Sequence, residues 1–260
     1  SHAVETLEDF DPTKKHRPAV PGTSIGHKNI SAGTMSCIVL KDGQEMILSN
    51  NHVLANSGQA EIEDAIFQPG PADGGTSEDE IATLYSFVPI SMIGGDGGLP
   101  DCNIAKVMAK VANAIAKFLG RQHRLLAYGP LDVINYVDAA VGLPTGPITK
   151  EIRDIGVPTA LIEPQLGMNI QKYGRTTRHT TGIILQIHAT VNVNYGIGKL
   201  ACFEEQIIAG PMSQGGDSGS AVLDMYKNLV GLLFAGSEQT TILNPIHKVF
   251  EELDLTLALV

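Results

Sequence analysis

The sequence predicts an all-β fold of many short strands, and two observations carry that prediction. The composition is rich in turn formers, with 28 glycines and 14 prolines, and it contains no tryptophan. Apolar and polar residues alternate over positions 185–195, which is the period of a half-buried antiparallel strand. At 260 residues the chain is long enough to bury a full core, so we expect 1–260 to form a single unit.

The strands are expected after a lead-in of about thirty residues that has no periodicity. Lys41-Asp42-Gly43-Gln44 joins two apolar runs and has the Asp-Gly chemistry that hairpins favour, so residues 35–40 and 45–50 are predicted to pair. Short apolar or alternating runs predict further strands at 81–90, 133–137, 185–195, 200–208, 220–223, 229–234 and 240–243.

Two segments have the periodicity of helices instead. Apolar side chains share one face of residues 103–119, and Gly120 follows as a left-handed cap. Residues 246–253 form a shorter amphipathic stretch that is expected to close the chain. The glycine-rich segment 94–98 is expected to be a loop, because it does not follow a strand and open a helix as a dinucleotide fingerprint does.

The charge and hydropathy of the chain exclude several classes of partner. A formal charge of −10 argues against nucleic acid or an anionic membrane, since phosphate-rich surfaces repel an acidic protein. No apolar run approaches the roughly 18 residues that a membrane span needs. Residues 1–16 are polar and lack the apolar centre of a secretory signal, which favours the cytoplasm, although secretion stays open if an N-terminal segment was removed.

The cysteines and histidines predict neither a cofactor nor a metal. Cys37, Cys102 and Cys202 are an odd number at wide spacings, which is typical of free thiols rather than of a disulfide framework. The acidic stretch 73–80 lacks the ordered alternation and glycine placement of a calcium-binding EF-hand loop. No partner at metal-ligand spacing accompanies the histidines at positions 27, 123, 179 and 247.

A serine between glycines is the sharpest local signal. Ser218 stands in Gly215-Gly216-Asp217-Ser218-Gly219-Ser220, just before an apolar strand, where the backbone can turn sharply and approach a substrate. Serine is a weak nucleophile without a base, and His52 supplies a candidate base at the end of the predicted strand 45–50. A glycine-rich turn and a capping or core histidine explain each motif singly, so the pairing of the two is what indicates catalysis.

Both motifs resemble those of a known family. Residues 48–55, Leu-Ser-Asn-Asn-His-Val-Leu-Ala, resemble the histidine segment of trypsin-like and HtrA-like serine peptidases, and residues 216–219 match their Gly-Asp-Ser-Gly motif. Residues 24–27, 32–34, 68–70, 174–177 and 232–237 are similar to a bacterial branch related to the plant narrow-leaf proteases. The resemblance spans most of residues 22–253. It implies a chymotrypsin-like double antiparallel β-barrel, with 22–145 as the N-terminal barrel and 146–260 as the C-terminal barrel.

The third member of a catalytic triad has two candidates. Asp138, followed by Ala139-Ala140-Val141, matches the family's Asp-x-Ala-hydrophobic pattern, whereas Asp101 matches it loosely. Asp101 also has a structural explanation, because it precedes the predicted helix and can cap its free N–H groups. We therefore expect Asp138 to complete the triad with His52 and Ser218. The helix 103–119 then forms an insertion in the first barrel.

The resemblance also implies roles for the residues around the serine. Backbone N–H groups of Gly216 and Ser218 would form the oxyanion hole. Met212, six residues before the nucleophile, would lie at the base of the primary pocket, and Phe234, Ala235 and Gly236 would pair with the substrate. None of these side chains carries a charge, so we expect a medium apolar residue before the cleaved bond.

Asp217 needs a partner of its own. Trypsin-like enzymes pair this aspartate with a newly freed amino terminus, but the chain has no Ile-Val-Gly-Gly start. Arg175 and Lys172 are the alternatives.

Other functions remain to be separated from peptidase activity. An esterase of the α/β-hydrolase kind is disfavoured, because such enzymes run serine, acid, histidine along the chain, whereas this chain runs His52, Asp138, Ser218. A protease-like scaffold that binds peptides or subunits without cutting them is the third interpretation. The expected partner is a polypeptide substrate, and the resemblance also allows a homo-oligomer.

Overall fold

Two curled sheets of short strands make up the structure, a computed structural model that describes residues 10–92, 134–196 and 199–258. Within these ranges the strands are β1 (Ser24–His27), β2 (Gly33–Thr34), β3 (Ile38–Lys41), β4 (Gln44–Ser49), β5 (Ala65–Phe67), β6 (Glu80–Phe87), β7 (Ile134–Asn135), β8 (Ala140–Pro144), β9 (Ala160–Leu161), β10 (Asn169–Gly174), β11 (Arg178–Asn194), β12 (Leu200–Ala209), β13 (Ala221–Asp224), β14 (Asn228–Gly236), β15 (Thr241–Pro245) and β16 (Thr256–Leu257).

The helices of the described ranges are short. They are α1 (Asn51–Leu54), which follows β4, and α2 (Ile246–Leu253), which follows β15. Three single-turn 3₁₀ helices lie at Asn56–Gly58, Pro71–Asp73 and Ser77–Asp79. The predicted helix 103–119 and the segment 94–98 lie outside the described residues.

The first sheet is a half-barrel with the strand order β16-β3-β4-β8-β6-β5-β1-β2. The second has the order β11-β10-β13-β14-β15-β12-β7, and an additional pairing of β11 with β12 closes it into a ring. Ring closure removes the free edges that open sheets expose. The predicted all-β fold of two curled antiparallel sheets with a C-terminal helix is therefore confirmed. The division of the chain between residues 145 and 146 stays a prediction. β7 precedes that boundary but pairs with β12 of the second sheet, and β16 follows it but pairs with β3 of the first sheet.

The largest core cluster joins the two sheets. It contains Val39 and Leu48 from the first sheet, Leu223 and Leu232 from the second, and the buried face of α2, including Phe250. Each sheet also encloses an apolar cluster of its own. Burial of this kind contributes about 25 cal/mol for each Å² of apolar surface removed from water, so the shared cluster fixes one sheet against the other.

The predicted first hairpin is confirmed, with β3 paired to β4 from Ile38↔Ile47 to Lys41↔Gln44. Asp42 and Gly43 have φ values of 52° and 76°, the positive range that two-residue hairpin turns demand. The sequence explains this turn because Asp and Gly tolerate that range.

Two expectations about the strands were wrong in detail. The alternation over residues 185–195 groups Leu185 with the apolar side chains of its predicted strand, yet Leu185 is 59% exposed and Ile184 is buried. Register shifts between β11 and β12, which start at Ile184 and Gln186, reverse the facing of the side chains locally. The lead-in also contains more structure than expected, because it includes β1, whose Ile25 is fully buried.

Candidate active site

The imidazole of His52 lies beside a buried carboxylate. β4 ends at Ser49, and His52 follows within the single turn of α1. Its Nδ1 is 2.6 Å from Oδ2 of Asp138, and its backbone N–H donates to Oδ1 of Asp138 at 3.1 Å. Because the carboxylate accepts a hydrogen bond from Nδ1–H, Nε2 is the nitrogen left to accept a hydrogen bond from another group.

Asp138 is fully buried and held on several sides. It lies in the connection between β7 and β8, just past the predicted strand 133–137, and among the described residues 134–137 of that strand β7 forms. Its carboxylate accepts a third hydrogen bond, from the Tyr195 hydroxyl at 2.7 Å. Its backbone N–H donates to Asn244 Oδ1 at 3.0 Å, and its carbonyl accepts from Asn50 Nδ2 at 2.8 Å. These contacts orient the carboxylate toward His52. Asp101, the other candidate, lies outside the described residues.

Ser218 opens onto the same cleft as His52. The cleft has a volume of about 1360 Å³, and both side chains line it. The Ser218 hydroxyl donates to the Phe234 carbonyl at 3.3 Å, and the Ser218 carbonyl accepts from Thr34 N–H at 2.7 Å. The structure therefore places the two motifs of the sequence on one surface, although they belong to different sheets.

The loop that carries Ser218 is held by a buried charge. Asp217 is fully buried and its Oδ2 lies 3.4 Å from Nζ of Lys172, which is also fully buried. Oδ1 accepts the backbone N–H groups of Thr176 and Thr177 at 2.9 and 3.1 Å. Oδ2 also accepts the Thr177 hydroxyl at 2.6 Å and the Gln214 N–H at 2.9 Å. Of the two partners suggested for Asp217, Lys172 is the one that the structure pairs with it.

Burial lowers the pKa of Lys172, while the charge of Asp217 and its hydrogen bond act in the opposite direction. The ammonium is also bound by the Thr177 hydroxyl and by the Arg178 carbonyl at 3.0 Å. A buried charge with this many partners fixes the backbone that surrounds it.

Arg175 has a different role from the one considered for it. Its Nε donates to Asp73 Oδ2 at 2.8 Å and its Nη2 lies 2.5 Å from Asp73 Oδ1, so the pair is bidentate. Asp73 belongs to the 3₁₀ helix Pro71–Asp73, and Arg175 follows β10 of the second sheet. Thr34 adds a second connection, since its hydroxyl donates to the Gly216 carbonyl at 2.9 Å. The first sheet thus supports the loop 214–218.

The residues expected to form the primary pocket line the cleft. Met212 and Phe234 are 4% and 3% exposed, and Ala235 and Gly236 lie at the more open side. The Thr180 hydroxyl donates to the Met212 carbonyl at 2.7 Å. Gly216, expected in the oxyanion hole, has a φ of 96°. Within the described ranges, no hydrogen bond uses the backbone N–H groups of Gly216 and Ser218.

Sequence reasoning missed many residues of this cleft, and three of them bear on its chemistry. Thr180, Tyr195 and Glu238 all line it, and Glu238 is exposed at its rim. The polar positions of β11 gave no sign of which residue would face the cleft. Tyr195 stands 57 residues from Asp138 in the chain, so no local pattern connects the two.

The described ranges contain no cluster of three or more His, Cys, Asp or Glu side chains that could hold a metal ion. Among the same residues, none of the helices has the length and apolar character needed to cross a membrane.

Solved structures with a similar fold are serine proteases. Thermobifida fusca protease A is 14% identical with a TM-score of 0.56, and the match covers 93% of this chain and 99% of that one. Cellulomonas bogoriensis chymotrypsin is 12% identical with a TM-score of 0.57 and the same coverage. Nocardiopsis protease is 12% identical with a TM-score of 0.57, covering 92% of this chain and 98% of that one. The chain therefore has the fold of the chymotrypsin-like serine proteases.

Comparison of sequences adds little. No family model matches the chain. A curated protein, the large ribosomal subunit protein uL10 of Methanothermococcus thermolithotrophicus, is 27% identical over 89 residues. That match covers 33% of this chain, and the chain spans about a quarter of that relative, 26% of its length. A match of this extent indicates no function for the chain.

Proposed function

We propose that the protein is a serine endopeptidase that cuts peptide bonds through an acyl-enzyme formed on Ser218. The observation that carries the proposal is the 2.6 Å contact between His52 Nδ1 and Asp138 Oδ2, at the edge of a cleft that Ser218 also lines. A base oriented by a buried acid, in the same cleft as a half-buried serine hydroxyl, is the arrangement that activates serine.

In the proposed reaction, His52 Nε2 takes the proton of the Ser218 hydroxyl as the oxygen attacks the scissile carbonyl. The same proton then passes to the leaving amine, and a water molecule releases the acyl group by the reverse sequence. Asp138 keeps the Nδ1–H tautomer and stabilises the imidazolium. No step needs a metal or a cofactor, because the three side chains supply the nucleophile, the base and its counter-charge.

The backbone N–H groups of Gly216 and Ser218 are proposed as the oxyanion hole. Two observations support this role: both groups are unused within the described ranges, and Gly216 has a backbone conformation suited to glycine. Donors that are fixed in advance stabilise the charge that develops on the carbonyl oxygen, and each contributes about 3 kcal/mol in other proteases.

The pocket beside Ser218 is proposed to take a medium apolar side chain before the cleaved bond. Met212, at its base, is buried in the apolar cluster of the second sheet. Among the described residues that line the cleft, Glu238 is the acidic side chain, and it lies at the exposed rim where water screens it. A peptide-library profile dominated by Arg, Lys, Asp or Glu would refute this preference.

A fluorophosphonate probe tests the proposal without knowledge of the substrate. The native chain should be labelled on Ser218, as shown by mass spectrometry of the digested adduct. Ser218→Ala and His52→Ala should not be labelled. Ser31→Ala, a change at an exposed serine outside the cleft, should be labelled at the native rate.

The outcome also separates the alternatives. Labelling without cleavage of any peptide in a library would indicate an esterase. Absence of labelling, together with retained peptide binding, would indicate a scaffold and would contradict the proposed activity.

A further inference from the structure

A long hairpin of the second sheet reaches the His52–Asp138 pair. β11 and β12 stay paired up to the last residue of β11 and the first residue of β12, with Val193 opposite Ala201 and Asn194 opposite Leu200. Tyr195 follows directly at the tip, where its backbone N–H donates to the Lys199 carbonyl at 2.8 Å. His52 follows β4 and Asp138 precedes β8, two paired strands of the first sheet. Contact between Tyr195 and this pair therefore joins the two sheets.

The ring of Tyr195 is fixed by aromatic neighbours. It packs against Phe203 with ring centroids 6.3 Å apart, and Phe203 packs against Phe234 at 4.9 Å. The Tyr195 ring also meets the His52 imidazole edge-to-face, with ring centroids 5.9 Å apart and an interplanar angle of 68°. A ring held in this way carries its hydroxyl in a defined direction, which here is toward Asp138.

The Tyr195 hydroxyl and the His52 Nδ1 share one acceptor. Oδ2 of Asp138 lies 2.7 Å from the hydroxyl and 2.6 Å from Nδ1. Burial, and then the negative charge of Asp138, raise the pKa of Tyr195 well above its ordinary value, so the hydroxyl keeps its proton and acts as a donor. The phenol therefore withdraws part of the carboxylate charge that faces the imidazole.

We propose that Tyr195 is a positioning residue that acts on His52 through Asp138, so that the tip of the β11–β12 hairpin completes the active site. This inference rests on the proposed function. The titratable groups in hydrogen-bonding contact with the Asp138 carboxylate, within the described ranges, are His52 and Tyr195. The Tyr195 ring also touches the His52 imidazole, so a change that keeps the ring and removes the hydroxyl is the one that tests the route through Asp138.

Tyr195→Phe keeps the ring and removes the hydroxyl. We expect two effects on the rate of fluorophosphonate labelling measured across pH. The plateau rate should fall about tenfold, because the carboxylate that orients the base loses one charge-assisted hydrogen bond. The acid limb should move to higher pH, because a carboxylate with one donor fewer stabilises the imidazolium more strongly. Loss of packing alone would lower the rate without moving that limb.

Tyr85→Phe is the matched control. The Tyr85 hydroxyl donates to Asp42 Oδ2 at 3.0 Å, so this variant also deletes a tyrosine–aspartate hydrogen bond, but at the β3–β4 turn. Its labelling rate and pH profile should equal those of the native chain.

A double-mutant cycle tests the route through Asp138. In the Asp138→Asn background, Tyr195→Phe should cause less than a twofold further change, because the charged acceptor is already gone. An equal tenfold loss in both backgrounds would mean that Tyr195 acts directly on the probe, and it would overturn the inference. The downfield proton resonance of His52 Nδ1 provides a reading independent of labelling, and it should shift in Tyr195→Phe and stay unchanged in Tyr85→Phe.

The failures of the two proposals are distinguishable. If the native chain is not labelled at all, the proposed function is wrong. If the native chain is labelled and Tyr195→Phe reproduces its plateau rate, its acid limb and its His52 resonance, the positioning role is wrong while the proposed function stands.

Discussion

At the scale of single residues, Lys172 is the cation that the structure pairs with Asp217, and it lies in the interior of the protein. Its ammonium is fully buried beneath the Ser218 loop, 3.4 Å from the buried carboxylate of Asp217. Removing one partner of a buried pair leaves the other as an uncompensated charge, which costs more than the pair contributes. The conformation of the loop should therefore depend on Lys172.

Lys172→Met should lower the free energy of unfolding by about 3 kcal/mol, because it removes one partner of a buried ion pair and leaves Asp217 without that cation. Chemical denaturation measures this loss. Lys227→Met, a change at an exposed lysine, should leave the stability within about 0.5 kcal/mol of the native value. Equal stability of Lys172→Met and the native chain would mean that the hydrogen bonds to Asp217 suffice without the ion pair.

Gly216→Ala should reduce kcat/KM about a hundredfold through displacement of a proposed oxyanion donor. A Cβ there would overlap the Thr176 hydroxyl and lie 2.9 Å from Arg175 Nη1, at a φ of 96° that alanine rarely adopts. Gly43 has a comparable φ of 76°, but a Cβ added there would meet no atom within 4 Å. The variant Gly43→Ala therefore separates the effect of backbone strain from that of crowding. It should retain native activity, and similar losses in both variants would contradict the argument.

At the scale of elements, Asp73 and Arg175 join the 3₁₀ helix Pro71–Asp73 to the end of β10. Burial acts to raise the pKa of Asp73, but the hydrogen bonds from Arg175 and Ser24 outweigh it and hold that pKa below 3.8. A carboxylate with a lowered pKa contributes stability above its unfolded-state pKa and loses that contribution as the pH falls through its folded-state pKa.

Asp73→Asn should therefore cost about 2 kcal/mol of unfolding free energy at neutral pH. The difference from the native chain should shrink as the pH falls from 3.8 through the lower folded-state pKa of Asp73, since the unfolded chain takes up its proton first and the native carboxylate follows. Denaturation curves at several pH values measure it. Asp154→Asn breaks an exposed pair with Arg153 and should cost almost nothing. A pH-independent cost for Asp73→Asn would point to packing instead of charge.

The sequence could predict the elements that depend on a short, contiguous pattern of residues. The Asp42-Gly43 turn and the helix 246–253 follow from residue types at fixed spacings. β11 shows the limit of such prediction. Its alternation predicted a strand, but the bulges in its pairing with β12 turn Leu185 toward solvent. Bulges depend on the partner strand, and no single strand contains that information.

At the scale of the whole molecule, the motifs around His52 and Ser218 predicted a shared cleft because each is a short contiguous pattern. Asp138 followed from a pattern of four residues. Tyr195 and the Asp73–Arg175 pair did not follow from any pattern, since they meet their partners only once two sheets have folded together. The shared cleft of Ser218 and His52, the proposed nucleophile and base, was thus readable from the sequence, while most of the residues that hold them in place were not.

Digestion of unfolded casein, followed by sequencing of the new amino termini, tests most directly whether this fold works as a peptidase. The account predicts cleavage at internal peptide bonds by the native chain, mostly after medium apolar residues, and none by Ser218→Ala prepared in the same way. Casein left intact by a folded native chain, or cut equally by Ser218→Ala, would contradict the account.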